Sequence, residues 1–192
     1  MFKLITAPAV EPVTVEELRS QLRITSTSQD TMLGVLIEAA RQHVEDYLRY
    51  SLLSATWELY LDSFPAAGDC IYIQKSPVSS VTSLKYYASD GTLTTLTENT
   101  DYAVDLISKP CRIYEAYGTY WPTPRLIKNA VIVKFVAGYA SADAVPDVIR
   151  QAVLMFASTM YENPADEITG TQVNRIDNNS ERLLRPLRAM RF

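Results

Sequence analysis

Apolar residues recur at helical spacing near both ends of the chain and at every second position between them. Leu33, Leu36, Ile37, Ala40, Val44, Tyr47 and Leu48 fall on one stripe of a helix, and Glu38, Arg41, Gln42, Glu45 and Arg49 take the other side. Ahead of them, Glu11-Pro12-Val13-Thr14-Val15-Glu16-Glu17-Leu18 reads as a helix start. Thr14 caps it, Glu17 closes a capping box, and the acidic pair suits the positive end of the helix dipole. Val15, Leu18 and Leu22 continue at helical spacing until about Ile24, and Ser26–Asp30 is a polar linker offering a second cap. His43 lies seven residues after Leu36, which predicts a packed histidine with a local hydrogen-bond partner near the apolar face.

From Ser54 the period changes to two. Trp57, Leu59 and Leu61 alternate with Glu58, Tyr60 and Asp62, and Ile71-Tyr72-Ile73 is a short strand ended by Ser76-Pro77. Val81, Leu84 and Tyr86-Tyr87 lead into Ser89-Asp90-Gly91, a hairpin signal, after which Leu93–Thr97 returns. Tyr102–Leu106, Cys111–Tyr114 and Val131–Ala137 complete about seven short strands. Helical spacing resumes after Pro146, with Ile149, Ala152, Val153, Phe156 and Met160 on one stripe. Val148, Leu154, Met155 and Ala157 leave that helix little polar surface, so its remaining apolar side chains are candidates for a subunit interface. The fold class is therefore α+β. A helical core, residues 1–53 and 139–163, has two N-terminal helices and one near 146–163, with an antiparallel β-rich region inserted at 54–138.

Residues 164–192 predict a flexible arm, because few apolar anchors occur before Asn179. Its tail is distinct: Arg182, Arg185, Arg188 and Arg191 recur every three residues between Leu183, Leu184, Leu187, Met190 and Phe192. The whole chain carries 18 basic and 22 acidic side chains, a net charge of −4. The last eleven residues hold four of the arginines and no acidic side chain, so residues 1–181 stand at −8. An acidic body with a basic, apolar end reads as an ordinary basic helix end, as a contact for nucleic-acid phosphate, for which four arginines on an acidic body are few, or as a docking segment. Arg182, Leu183, Leu184, Arg185, Leu187 and Arg188 are its candidate anchors for a partner's groove.

Composition argues against chemistry. In 192 residues there is one histidine, six glycines in no phosphate-binding order, and two cysteines, Cys70 and Cys111. Glu16-Glu17 and Glu45-Asp46 are neighbours on helices and do not face each other, so they read as solvated faces, and Asp166-Glu167 lies in the loose segment. No catalytic, cofactor or metal residue is assigned, and no enzyme activity is expected. With no export signal or apolar run of membrane-spanning length, the chain reads as a soluble intracellular protein. The tyrosines and Trp121 between Tyr114 and Trp121 read as packing or interface residues, since only Arg112 and Arg125 flank them as cations.

The order of short motifs along almost the whole chain resembles the head–tail connector, or adaptor, proteins of long-tailed bacteriophages. It runs from Glu11–Leu18 and Leu22-Arg23-Ile24 through Ala39-Ala40-Arg41, Val44-Glu45 and Trp57–Pro65. Ser76–Val81, Asp90-Gly91, Asp101–Asp105 and Tyr120-Trp121-Pro122 follow, then Val131–Tyr139, Val145-Pro146 and Tyr161–Pro164. The resemblance implies a non-enzymatic part of the virion neck, assembled in the host cytoplasm as a ring of about a dozen copies beneath the portal protein. Such a ring extends the DNA channel without binding DNA specifically, helps retain the packaged genome and meets a tail-side stopper or tail-completion protein. It also implies portal docking by the C-terminal segment and no membrane partner. The rival readings are another tail-side or baseplate-like interaction module, and an enzyme or ligand-binding domain whose site the sequence hides.

Overall fold

The computed structural model describes residues 1–163 and 179–187. They form two compact units, one of Met1–Pro8 with Ser54–Tyr139 and one of Ala9–Leu53 with the residues from Ala140 onward.

The first unit is built of antiparallel strands. Strand β1 is Phe2–Thr6, β2 Ala55–Leu61, β3 Ile71–Ile73, β4 Val78–Tyr87, β5 Leu93–Leu96, β6 Tyr102–Asp105, β7 Cys111–Glu115 and β8 Val131–Ala137. They make a five-stranded sheet in the order β1-β2-β8-β4-β5 and a three-stranded sheet in the order β3-β7-β6. All seven strands expected between Ser54 and Gly138 are present, and β1 is an addition that sequence reading missed. Phe2 and Leu4 alternate with Lys3, a period of two that was visible, and Phe2 pairs with Leu59 and Leu4 with Trp57. That pairing ties the first eight residues to the strands rather than to the helices.

One core serves both sheets: Leu59, Val81, Leu84, Val133 and Phe135 from one pack with Ile71, Ile73, Tyr102, Cys111 and Ile113 from the other. Along β8 burial alternates strictly, as a central strand of a one-sided sheet requires. In β4 the inward residues Val78, Val81 and Leu84 lie three apart, because register shifts between Val78 and Ser80 and between Val81 and Ser83 re-aim the side chains. The β4–β5 hairpin turns at Asp90-Gly91 as the sequence predicts. The Gly91 amide donates to Ala88 at 2.9 Å, and its φ of +94° is open to glycine without strain.

The second unit is helical, with α1 at Val15–Leu22, α2 at Asp30–Leu48, α3 at Asp147–Glu162 and α4 at Asn179–Leu184, the last followed by a 3-10 turn over Arg185–Leu187. The capping box is formed: Glu17 N donates to Thr14 Oγ1 at 3.1 Å, and Thr14 N donates to Glu17 Oε2 at 2.7 Å. Arg23 in the left-handed region ends α1. The second cap differs from expectation: Gln29 occupies the cap of α2 without a side-chain capping bond, its Oε1 accepting from the Tyr161 hydroxyl at 2.8 Å, while Ser26 and Ser28 bond each other at 2.9 Å. Asp30 then meets Arg19 Nε at 3.1 Å.

Leu33, Ile37, Ala40, Val44 and Leu48 are buried along α2, as their spacing predicts. Two corrections concern its other side. Arg41 and Glu45, read as solvent-facing, are buried as an ion pair. His43, read as packed near the apolar face, is exposed, with its ring edge-on to Phe156 at 4.5 Å.

Candidate functional site

Residues sort here by what they could bind rather than by what they could catalyse. The polar clusters act as locks on the fold. In the helical unit, Arg41 Nε donates to Glu11 Oε2 at 2.7 Å and Nη1 to Glu45 Oε2 at 2.8 Å. Glu45 Oε1 accepts from the amide of Leu52 at 2.7 Å, so one carboxylate fixes both Arg41 and the segment after α2. Burial lowers the tendency of Arg41 to hold its proton, but the Glu11 hydrogen bond and the Glu45 charge outweigh it, and the net shift is upward. Arg150 Nη2 reaches Glu17 Oε1 at 2.6 Å and its Nε reaches the Pro12 carbonyl at 3.1 Å, holding α3 to the start of α1.

In the β unit, a cavity of about 390 Å³ is lined by Gly68, Asp69, Cys70, Asp105, Arg112, Tyr114 and Glu115. Asp105 at its wall is already engaged. It accepts from Ser108 Oγ at 2.6 Å, from Arg112 Nη2 at 2.8 Å and from the amides of Ile107 and Ser108 at 3.0 and 3.1 Å. Ser108, then Arg112, hold its carboxyl well below the usual carboxylate range. That pattern closes the β6–β7 turn. Cys70 and Cys111 are both free thiols, and burial, followed by the Asp105 charge, pushes Cys111 up to about 11, far from the thiolate that chemistry needs. Among the described residues no group of three or more His, Cys, Asp or Glu side chains could hold a metal ion, and no helix is long and apolar enough to cross a membrane.

The predicted docking residues fall into three groups. Leu184 is fully buried, and α4 packs on α3, so this leucine holds the segment to its own chain instead of projecting as an anchor. Arg182, Leu183 and Arg185 are exposed, and Leu187 is half-buried. Arg188 lies outside the described residues, as do the last four residues of the tail and most of the arm. On α3, Val148 is 45% exposed and Leu154 and Met155 are half-buried, whereas Ile149, Ala152, Val153, Phe156 and Ala157 fill the core. Sequence reading missed the Glu11–Arg41–Glu45 network because polar residues at helical spacing look the same whether solvated or paired inside.

A small α+β chain whose polar clusters lock its own turns has the features of a structural assembly module. Residues 12–190 match the family described as "Phage gp6-like head-tail connector protein", and the chain belongs to that family of structural connectors. No curated protein matches it significantly. Among solved structures it is similar to a chain in "Virion of native gene transfer agent (GTA) particle", at 24% identity and a TM-score of 0.80. It is also similar to chains in "Neck of empty GTA particle computed with C6 symmetry" and "Neck of native GTA particle computed with C12 symmetry", each at 24% identity, with TM-scores of 0.79 and 0.76. Each match covers 100% of this chain and 97% of the other, so the two share the whole fold.

Proposed function

We propose that the chain forms a ring of about a dozen copies in the neck of a tailed phage or phage-like particle, between the portal and a tail-side protein. The ring extends the DNA channel and helps retain the packaged genome. The observation that carries this reading is the end-to-end agreement in fold with a chain of a particle neck computed with C12 symmetry, joined to membership of the connector family. Val148, Leu154 and Met155 on α3 supply apolar surface for contact between copies, and a heterologous contact of this kind closes into a ring. Arg182, Leu183 and Arg185, with Leu187 and Arg188 beyond, dock on an acidic groove of the portal. A net charge of −8 before the tail keeps the body from holding DNA as it passes. Electron microscopy of the purified chain mixed with its portal tests this: rings of about twelve copies seated on the portal are expected, and a chain that stays monomeric beside bare portals overturns it.

A further inference from the structure

Two tyrosines of the β unit stand exposed on a turn that is held from several sides. Tyr117 is fully exposed and Tyr120 is 81% exposed. Between them, Thr119 N donates to the Ala116 carbonyl at 3.0 Å, and Gly118 takes the φ of +79° that this turn requires. Thr119 Oγ1 donates to the carbonyls of Ala116 and Asp101 at 2.8 and 3.1 Å. On the far side Glu115 Oε1 accepts from Trp121 N at 2.9 Å, and the Trp121 ring stacks on buried Phe64 at 4.8 Å. The backbone is fixed before anything binds, so two large rings are offered with little ordering entropy left to lose.

Charge says what kind of surface they meet. Residues 93–108 and 113–124 contain no lysine or arginine, yet they carry Glu98, Asp101, Asp105 and Glu115. Asp101 lies against the turn through its carbonyl, and Glu98 bridges to Tyr102, the strand partner of Glu115. The flanking cations face elsewhere: Arg112 is bonded to Asp105 at 2.8 Å, and the Arg125 guanidinium lies beside Gly91 at the β4–β5 turn, where its charge acts on Asp90. A phosphate backbone is repelled by such a rim. A protein surface bearing lysine or arginine is attracted by the carboxylates and by the tyrosine faces.

We infer that the Tyr117–Tyr120 turn docks the tail-side neighbour of the connector, through a surface of that protein carrying lysine or arginine around an apolar hollow. The inference rests on the connector reading above. A connector holds two different partners, and its two docking sites have opposite sign: Arg182 and Arg185 suit an acidic groove, the tyrosine turn a cationic surface. Neither partner fits the other's site, which fixes the site that each one takes.

The test uses DNA-filled heads that carry the portal but lack the connector, the full-length chain, and tails. Tyr117→Ala/Tyr120→Ala is expected to seat on heads as the native chain does while tail joining, counted by electron microscopy, falls at least tenfold. Glu98→Lys should lower joining several-fold. Nitration by tetranitromethane should modify Tyr117 and Tyr120 in heads before tails are added and leave them protected in tailed particles, with buried Tyr102 unreactive throughout. Undiminished joining by the double variant, or continued nitration in tailed particles, overturns the inference. So does loss of seating on heads, which would assign the turn to the portal or to a sister copy. A native chain that never seats on heads sinks the connector reading instead, and the nitration of particles assembled in the cell still decides the turn.

Discussion

Arg41 and Glu45 lie one turn apart on α2, bonded at 2.8 Å, and both side chains are buried. A pair four residues apart on a helix surface contributes only tenths of a kcal/mol, but here desolvation raises what depends on it. Glu45 also accepts the Leu52 amide, and Arg41 also binds Glu11. Glu45→Ala should therefore destabilise the helical unit by about 1–3 kcal/mol, since the buried Leu52 amide loses its acceptor while Arg41 keeps Glu11. Glu45→Gln, which keeps an acceptor for Leu52, should cost clearly less. Urea unfolding followed by helical circular dichroism checks both, and equal losses would show that the Leu52 bond carries nothing.

The start of α1 offers a second comparison. Glu17 uses both carboxylate oxygens, one for the Thr14 amide and one for Arg150, whereas Thr14 contributes the cap alone. Thr14→Ala should cost about 1 kcal/mol. Glu17→Ala should cost more, because Arg150 loses its 2.6 Å carboxylate bond as well, and Glu17→Ala combined with Arg150→Ala should fall short of additivity by about 0.5 kcal/mol or more. Additive losses would mean that the two residues act independently.

What the sequence disclosed follows from where side-chain period reports burial. The β8 alternation and the Leu33–Leu48 stripe were legible because one face of each is buried against the core of its own unit. The bulges in β4 spread Val78, Val81 and Leu84 to a spacing of three, yet the strand is legible because it leads into the Ser89-Asp90-Gly91 hairpin signal. Burial of Arg41 and Glu45 was not legible, since pairing partners such as Glu11, thirty residues away, leave no periodic mark. Nor was the seating of α4: a six-residue helix cannot be stable alone, and its place is set by α3, which local pattern does not encode. The docking candidates were read as one set because Leu183 and Leu184 are equivalent in sequence; only packing separates them.

Asp105 gives a pH dependence of known sign. Its carboxyl titrates below the ordinary range of about 3.9 because Ser108 and Arg112 bond the charged form. A carboxylate depressed in the folded state contributes stability above its unfolded pKa, and that contribution is lost as pH falls through the folded one. Asp105→Asn should thus lower Tm at neutral pH, with the gap to the native chain shrinking as pH drops below about 4. Thermal melts at a series of pH values check this; a gap that widens on acidification would contradict it.

Leu183 and Leu184 are adjacent and should fail in different ways. Leu184 is fully buried where α4 packs on α3, while Leu183 is 40% exposed beside Arg182 and Arg185. Removing the Leu184 side chain deletes a buried leucine, a loss of about 2–5 kcal/mol where the site cannot collapse. A six-residue helix cannot absorb that alone, so α4 should come off α3 while the rest of the unit stays folded. Leu184→Ala is then expected to accelerate amide exchange across residues 179–187 by at least tenfold, with little change in the amides of β8. Leu183→Asp should leave that exchange near its native rate yet weaken binding to the portal, because it alters only the outward face. Leu184→Ala should weaken portal binding too, by unseating the face that Arg182 and Arg185 share. If Leu184→Ala left exchange unchanged while Leu183→Asp raised it, the assignment of inner and outer leucine would be reversed. If neither variant affected the portal, the segment would be a strap of the helical unit and nothing more.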